Sequence, residues 1–497
     1  MEDITIEDPT QNSAQILFNY ITNEDKGKSE YKKGSNKCAS RTFAGIESPT
    51  PIENLHLLDL KLALKYEEDK LYLKDDKIYK YLRRGNCLTY NTETNKIGIA
   101  RIGLIKFFDY RKDYSGLIDE RRRVLEKVEE SKSPLGVYLT EKANGENFQV
   151  SFNPAFNCWI IGSKTVTIAC KDEKDIDFYK NQNNFTYENF KPLIKEFYTK
   201  KNLLTLKRYE YVLDFAKKWF NILVKLFKTK EDLEEFKKVI AFHTFIGENV
   251  GDQYHQHIKI YKEGDIIFYG IVDHMKYDTE ICLPLNKSFE IFKKFGFTMV
   301  PMDKSENFDN FDDLKTYLDD KYDEILLKTI KQSGEGNVVY FVGIGENGEE
   351  KVVSIAKLKT FEYRFYRKIR EKIEVLLERY QKQKNLGFGD LQSNLKKESE
   401  ELAENFKEEL NFDKYIRFSE FVFNYITKYD NEKHYFDVFA EFIHILKYAF
   451  NKYEEKKDSE EKESLDDIYK KIKEVLDKKF GSIEKFNINN MKYIILI

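Results

Sequence analysis

Gly136-Val-Tyr-Leu-Thr-Glu-Lys142-Ala-Asn-Gly145-Glu-Asn-Phe-Gln-Val-Ser-Phe152 is the stretch on which the fold turns. The residues before Lys142 are strand-like, and Asn147–Phe152 alternates polar with apolar side chains. A lysine is therefore expected on a strand-to-strand turn, facing a cleft. The Lys-x-x-Gly pattern says little by itself, because it recurs at Lys293–Gly296, Lys331–Gly334, Lys384–Gly387 and Lys478–Gly481. Those four lie in helix ends or charged loops, where a solvated lysine and a capping glycine are expected. Only at Lys142 does the pattern join two strands.

Four more segments follow in a fixed order: Ser163-Lys164, Phe245-Ile-Gly-Glu248, Glu335-Gly-Asn-Val338 and Lys357-Leu-Lys359. With Lys142 they describe a nucleotide-transfer pocket. A lysine that attacks the α-phosphate must lose its proton, so it needs cationic neighbours or a nearby metal to lower its pKa. Carboxylates such as Glu248 and Glu335 can hold a metal and a ribose, while Lys357 and Lys359 offset phosphate charge.

The ordered set resembles the covalent nucleotidyltransferases, the superfamily of nucleic-acid ligases and mRNA capping enzymes. Upstream, Arg84-Gly85, Ile-Ala-Arg101 and Lys106-Phe107-Phe108 resemble the lead-in of phage-type and fungal or plant RNA ligases. Downstream, Lys357-Leu-Lys359-Thr-Phe-Glu-Tyr-Arg-Phe-Tyr-Arg-Lys-Ile-Arg-Glu371 is similar to the tRNA splicing ligases, whose last motif runs into a helix carrying Tyr-Arg-x-x-Arg-Glu. The likeness is to their adenylyltransferase module and runs from about Arg84 to Glu371.

The resemblance implies an ATP-dependent RNA ligase that joins 3′-hydroxyl and 5′-phosphate ends through lysyl-AMP and RNA-adenylate, in tRNA splicing or RNA repair, with ATP and Mg2+. It implies Lys142 as nucleophile, Glu248 on the ribose, Glu335 near the metal with Glu248 as a second oxygen donor, and Lys357 and Lys359 on the α-phosphate. Arg84 and Lys106 would orient the ribose and the leaving pyrophosphate, and Lys164 would contact phosphate. Arg367 and Arg370 would read the RNA end, with His257 touching RNA. Ser163-Lys164-Thr165 departs from the Ser-Lys-His of the family. Kinase and phosphodiesterase motifs are not found, so separate proteins would prepare the RNA ends. An mRNA guanylyltransferase and a catalytically inactive RNA-binding scaffold are the alternatives.

Composition agrees. The chain has 497 residues, enough for two or three domains and a large core. Its net charge of −3 provides no global basic field, so RNA contact must come from local clusters. Arg364, Arg367, Lys368 and Arg370 form one, and Arg121-Arg122-Arg123 forms another that reads more readily as a solvated helix face. Five cysteines without Cys-x-x-Cys spacing suggest buried thiols in a reducing compartment. No run of apolar residues reaches membrane length, and the acidic N-terminus lacks a signal-like core. An intracellular protein is expected, in nucleus or cytoplasm.

The expected class is α+β. Residues 1–52 read as a loosely ordered arm, residues 53–362 as an antiparallel-sheet nucleotidyltransferase domain of the ligase type, unrelated to ATP-grasp folds, and residues 363–497 as an all-helical domain. That last stretch is rich in Glu and Lys, with helical periodicity and almost no glycine or proline. The turns that a β-barrel oligonucleotide-binding domain needs are missing from it. The glycine-rich Gly343-Ile-Gly-Glu-Asn-Gly348 lacks the helix and Lys-Ser/Thr of a phosphate loop and reads as a hairpin turn.

Overall fold

A computed structural model describes residues 8–22, 28–33, 36–41, 43–62, 71–73, 75–110, 118–131, 135–181, 184, 193–194, 206–251, 261, 263–303, 306–345, 348–370, 411–429, 439–456 and 463–480. Its strands are β1 (Lys28–Lys33), β2 (Asn36–Arg41), β3 (Phe43–Pro49), β4 (Leu55–Leu62), β5 (Cys87–Asn91), β6 (Ile97–Arg101), β7 (Phe108–Asp109) and β8 (Leu135–Glu141). They continue as β9 (Glu146–Asn153), β10 (Cys158–Gly162), β11 (Thr167–Cys170), β12 (His243–Val250), β13 (Asp265–Asp273), β14 (Glu306–Phe308), β15 (Gly336–Ile344) and β16 (Glu350–Lys359). The class is α+β. Two five-stranded sheets, β11-β10-β9-β12-β13 and β14-β8-β15-β16-β7, carry the pocket residues, and a four-stranded sheet, β3-β4-β5-β6, stands beside them. Pairing between the strands is antiparallel except for β16 with β7.

β8 and β9 are consecutive yet belong to different five-stranded sheets, so the chain crosses the cleft at Lys142 to Gly145. Gly145 makes the crossing possible. A Cβ there would lie 2.1 Å from the carbonyl oxygen of Asn249 on β12, where no side chain fits.

The period of two along β9 sorts its residues by face. Phe148 and Phe152 turn toward aromatic partners: Phe148 stands 6.1 Å from Trp219 of helix Leu206–Leu226, and Phe152 stands 4.9 Å from Trp159. Aromatic pairs of this kind add about 1 kcal/mol beyond the area that they bury. On the opposite face Asn147, Gln149 and Ser151 are buried but bonded, Ser151 to the carbonyl of Ala100 at 2.5 Å. That polar face supports one wall of the cleft.

Two differences from the sequence reading stand out. The first 52 residues are not a loose arm where they are described. Helix Gln11–Thr22 buries Ala14 and Leu17, and Thr10 Oγ1 accepts a hydrogen bond from Ile99 N at 2.8 Å on the edge of β6. β3 pairs with β4 from Phe43↔Leu62 to Pro49↔His56, so the boundary at residue 52 falls inside a hairpin. The polar composition hid this, because polar residues of that sheet, Glu47, Ser48 and Asp59 among them, are themselves buried. Between residues 135 and 170 the chain forms four strands, β8 to β11.

The hairpin of β15 and β16 closes at the glycine-rich turn, where Gly348 has φ +76° and Gly345 N donates to Glu349 O at 2.7 Å. C-terminal to it, residues 361–370 are helical, and so are Phe412–Tyr429, Phe439–Lys456 and Leu465–Phe480. The boundary at residue 362 lies within the first of these helices. Tyr366 packs 5.8 Å from Phe418, and Glu362 takes the ammonium of Lys447 and the hydroxyl of Tyr366 at 3.0 Å. This helix therefore holds the later helices directly onto the end of β16. No described helix is long and apolar enough to cross a membrane.

Candidate active site

Glu335 stands at the entrance to β15 and is 3% exposed. Its Oε2 is 2.8 Å from the ammonium of Lys142, and Asn144 Nδ2 donates to the same oxygen at 3.2 Å. Its Oε1 is 4.0 Å from Lys359 Nζ. The backbone locks this register: Lys142 N donates to Gly336 O at 2.8 Å, and Asn144 N donates to the hydroxyl of Tyr261 at 2.9 Å. Lys-x-x-Gly and Glu335-Gly are thus two sides of one small structure. Burial would raise the Glu335 carboxyl, but Lys142 and then Lys359 outweigh it and hold it at about 2.

Lys357 and Lys359 are two apart on β16, so both side chains leave the same face. Between their ammonium groups lies Asp109 of β7, 3.3 Å from each, through Oδ1 and Oδ2 respectively. Burial, opposed by Asp109, sets Lys359 at about 8, with Lys357 adding to the lowering. Phe107 lies under Lys357 at 5.3 Å, and Tyr363 under Lys359 at 5.6 Å.

The other sheet supplies Glu248, partly buried on β12 opposite Asn147 of β9. Burial pushes its carboxyl up to about 7; Lys142 and Lys164 pull it down, and Glu335 and Glu146 push it further up. Solvent reaches Lys164, yet the crowded cleft around it, and then Arg84, lower its pKa against the pull of Glu248 and Glu146. Beneath Lys164 is a buried polar floor. Arg101 donates to Ser163 O at 2.6 Å, to Gln149 Oε1 at 2.8 Å and to Thr167 Oγ1 at 2.7 Å, and Thr167 in turn bonds Asp59. Gln149 Nε2 donates to Arg84 O at 3.0 Å. Gly85 takes φ +102° so that the chain can turn over Gln149.

The structure therefore brings Lys142, Glu335, Lys357, Lys359, Glu248, Lys164 and Arg84 to one cleft. Arg367, exposed on the helix of residues 361–370, is among the charges felt by Lys142, Glu335 and Lys359. Arg370 is half-buried on the same helix. Lys106 is buried, with its ammonium 6.0 Å over the ring of Phe108. His257 lies outside the described residues.

Asp109, Asn144, Tyr261 and Tyr363 are site residues that sequence reasoning missed. The signal for Asp109 was its place directly after Lys106-Phe107-Phe108, and for Asn144 its place inside Lys-Ala-Asn-Gly. The expected lowering of the Lys142 pKa is corrected. Burial does lower it, but Glu335 and Glu248 outweigh burial and the net shift is upward. In the ligand-free protein Lys142 is therefore held as an ammonium. Among the described residues no cluster of three or more His, Cys, Asp and Glu forms a ready metal cage.

No protein-family profile matches the chain. No curated protein sequence matches it either. Among solved structures, it is similar to form 1 of an archaeal ATP-dependent RNA ligase, with 10% identity over 81% of this chain and 76% of that one, at a TM-score of 0.40. Form 2 gives 11% identity over 72% and 69%, at 0.36. A lysine-to-alanine mutant of Naegleria gruberi RNA ligase with ATP and Mn gives 10% identity over 70% of this chain and 82% of that one, at 0.30.

Proposed function

We propose that this protein is an ATP-dependent RNA ligase that works through a covalent Lys142–AMP intermediate. The observation that carries the proposal is the ion pair of Lys142 with buried Glu335, 2.8 Å apart, on a sheet-to-sheet turn beside the Lys357, Lys359 and Asp109 group. A lysine in such a place serves no packing purpose, and its partners suit a nucleotide triphosphate. Glu335 aims and stores the lysine until nucleotide enters. Lys142 Nζ, once deprotonated, attacks the α-phosphorus; an N–P bond forms, the P–O bond to pyrophosphate breaks, and pyrophosphate leaves. Lys357 and Lys359 face the charge that develops on the α-phosphate oxygens. Glu248 takes the ribose hydroxyls, and Lys164 and Arg84 lie where the remaining phosphates pass.

Glu248 and Glu335 also fit a divalent cation. Both are hard oxygen donors, and burial, which raises Glu248 to about 7, is a cost to its charged form that a bound cation would offset. Bound magnesium would supply neutralisation of the phosphate oxygens. AMP then passes to a 5′-phosphate of RNA, and a 3′-hydroxyl displaces it to seal the strand. Arg367 and Arg370, three apart on their helix, would read the RNA end, and a 2′-phosphate there would mark a tRNA-splicing substrate.

The test is direct. Incubation with α-labelled ATP or GTP and Mg2+ should attach label from ATP, and mass spectrometry should place AMP on Lys142. Attachment of GMP instead would make the protein a guanylyltransferase. No attachment of either nucleotide would end the proposal.

A further inference from the structure

Asp109 is held as firmly as the lysines that it touches. It sits on β7, which runs parallel to β16 with Ala356 opposite Phe108 and Lys357 opposite Asp109. Tyr110 N donates to Lys357 O at 2.8 Å, and Asp109 N donates to Glu120 Oε2 at 3.2 Å, which ties the short strand to helix Ile118–Glu130. The backbone thus places one carboxylate between two ammonium groups on a common strand face. Two lysines so placed repel each other, and each has a long flexible stem. A fixed carboxylate that gives one oxygen to each removes both problems: it offsets the repulsion and sets the spacing of the two charges.

Resting on the function proposed above, we infer that Asp109 is a positioning residue that holds Lys357 and Lys359 as one preset phosphate-binding pair. It touches neither nucleotide nor RNA and acts through the lysines. The sequence places it in the same short segment as Lys106, so that segment has two separate duties. Phe107 and Asp109 hold the lysine pair, and Phe108 packs into the core.

The experiment compares wild type, Asp109→Asn and Asp109→Glu in single-turnover formation of Lys142–AMP against ATP concentration, with Mg2+ present. Asp109→Asn keeps the shape and removes the charge. Its plateau rate should fall on the order of 10- to 100-fold, the size expected for misplaced contacting groups. The ATP concentration at half-maximum should change less than the rate, because other cations also bind the triphosphate. Asp109→Glu should recover part of the rate, and the melting temperatures should stay close together.

Calorimetric binding of AMP reads the pair without chemistry. Its single phosphate depends on the two lysines more than ATP does, so AMP affinity should drop several-fold in Asp109→Asn. An unchanged plateau rate, equal AMP affinity in wild type and Asp109→Asn, or equal impairment of Asn and Glu variants with lowered melting temperatures would each overturn the inference. If wild type binds AMP through the pair but attaches no nucleotide, the ligase proposal fails and the positioning role stands.

Discussion

The two five-stranded sheets give the cleft unlike walls. On the β8, β15, β16 and β7 side, two acids are paired: Glu335 with Lys142 and Lys359, and Asp109 with Lys357 and Lys359. On the β9, β10 and β12 side, Glu248 faces the cleft with its pKa pushed up by burial, to about 7. The acids of one wall sit in ion pairs with lysines before any ligand arrives, whereas Glu248 on the other feels Lys142 and Lys164 only through the field. Paired acids fix geometry, and a buried acid outside a close pair leaves a demand that a ligand can meet. The division predicts that removing the Glu335 charge from the first wall damages chemistry and stability together, whereas substitution of Glu248 on the second changes how the protein responds to ligand and pH.

The largest effect is expected at Lys142. Lys142→Ala should abolish covalent attachment of AMP, since the nucleophile itself is gone, while AMP still binds. An adduct that persists on the mutant protein in mass spectrometry would remove the first wall from the chemistry.

Glu335→Gln should follow. Without its charge the attachment rate should drop by about 3 kcal/mol of transition-state stabilisation, the cost of removing one preorganised electrostatic contact. Because Lys142 then faces an amide in a nearly closed site, stability should also fall by about 2 kcal/mol. Chemical denaturation run beside single-turnover kinetics separates the two losses. A rate loss with unchanged stability would mean that Glu335 acts on the nucleotide alone.

A smaller, step-specific effect is expected on the helix of residues 361–370. Arg367 lies within the field of Lys142, Glu335 and Lys359. Arg367→Ala should therefore slow both attachment and sealing, whereas Arg370→Ala should spare attachment and slow sealing of RNA that carries a 2′-phosphate. Sealing of pre-adenylated RNA, with 2′-phosphate and 2′-hydroxyl ends compared, checks this. Equal sealing of the two end types by wild type would remove the end-reading role.

This helix also shows what the sequence can and cannot tell. Arg121-Arg122-Arg123 and Arg364 to Arg370 look alike as charge runs, but their partners differ. Arg121 is bonded to both oxygens of Asp319 at 2.8 and 2.9 Å, Arg123 pairs with Asp76, and Arg122 pairs with Glu126. That first run is structural and surface charge, and while Glu126 is a local partner, Asp319 and Asp76 are remote in sequence. The same limit hid Asp109, whose lysine partner Lys359 is 250 residues away. The strand–lysine–turn–strand of Lys142 is a local pattern, and it could be read from the sequence. The N-terminal sheet was missed because its strands alternate only weakly and gain their burial from distant β5 and β6. Local pattern fixes elements, and long-range pairing fixes which charges are spent.

The smallest effect sharpens the contrast between the walls by pH. Glu335 has a folded pKa of about 2 against an ordinary 4.5, so it adds stability above 4.5 that is lost as pH falls toward 2. Glu248 has the opposite sign. Its folded pKa of about 7 lies above 4.5, so the folded protein binds the extra proton, and stability falls as pH rises from about 4.5 through 7. Glu248→Gln removes this penalty. In protein kept free of divalent metal by chelator, the variant should match wild type near pH 5 and exceed it at pH 8, by on the order of 1 kcal/mol given that Glu248 is partly open to solvent. Denaturation midpoints across that range measure the difference directly. Parallel curves for the two proteins would show that Glu248 is as well compensated as Glu335, and the distinction between the walls would then be wrong.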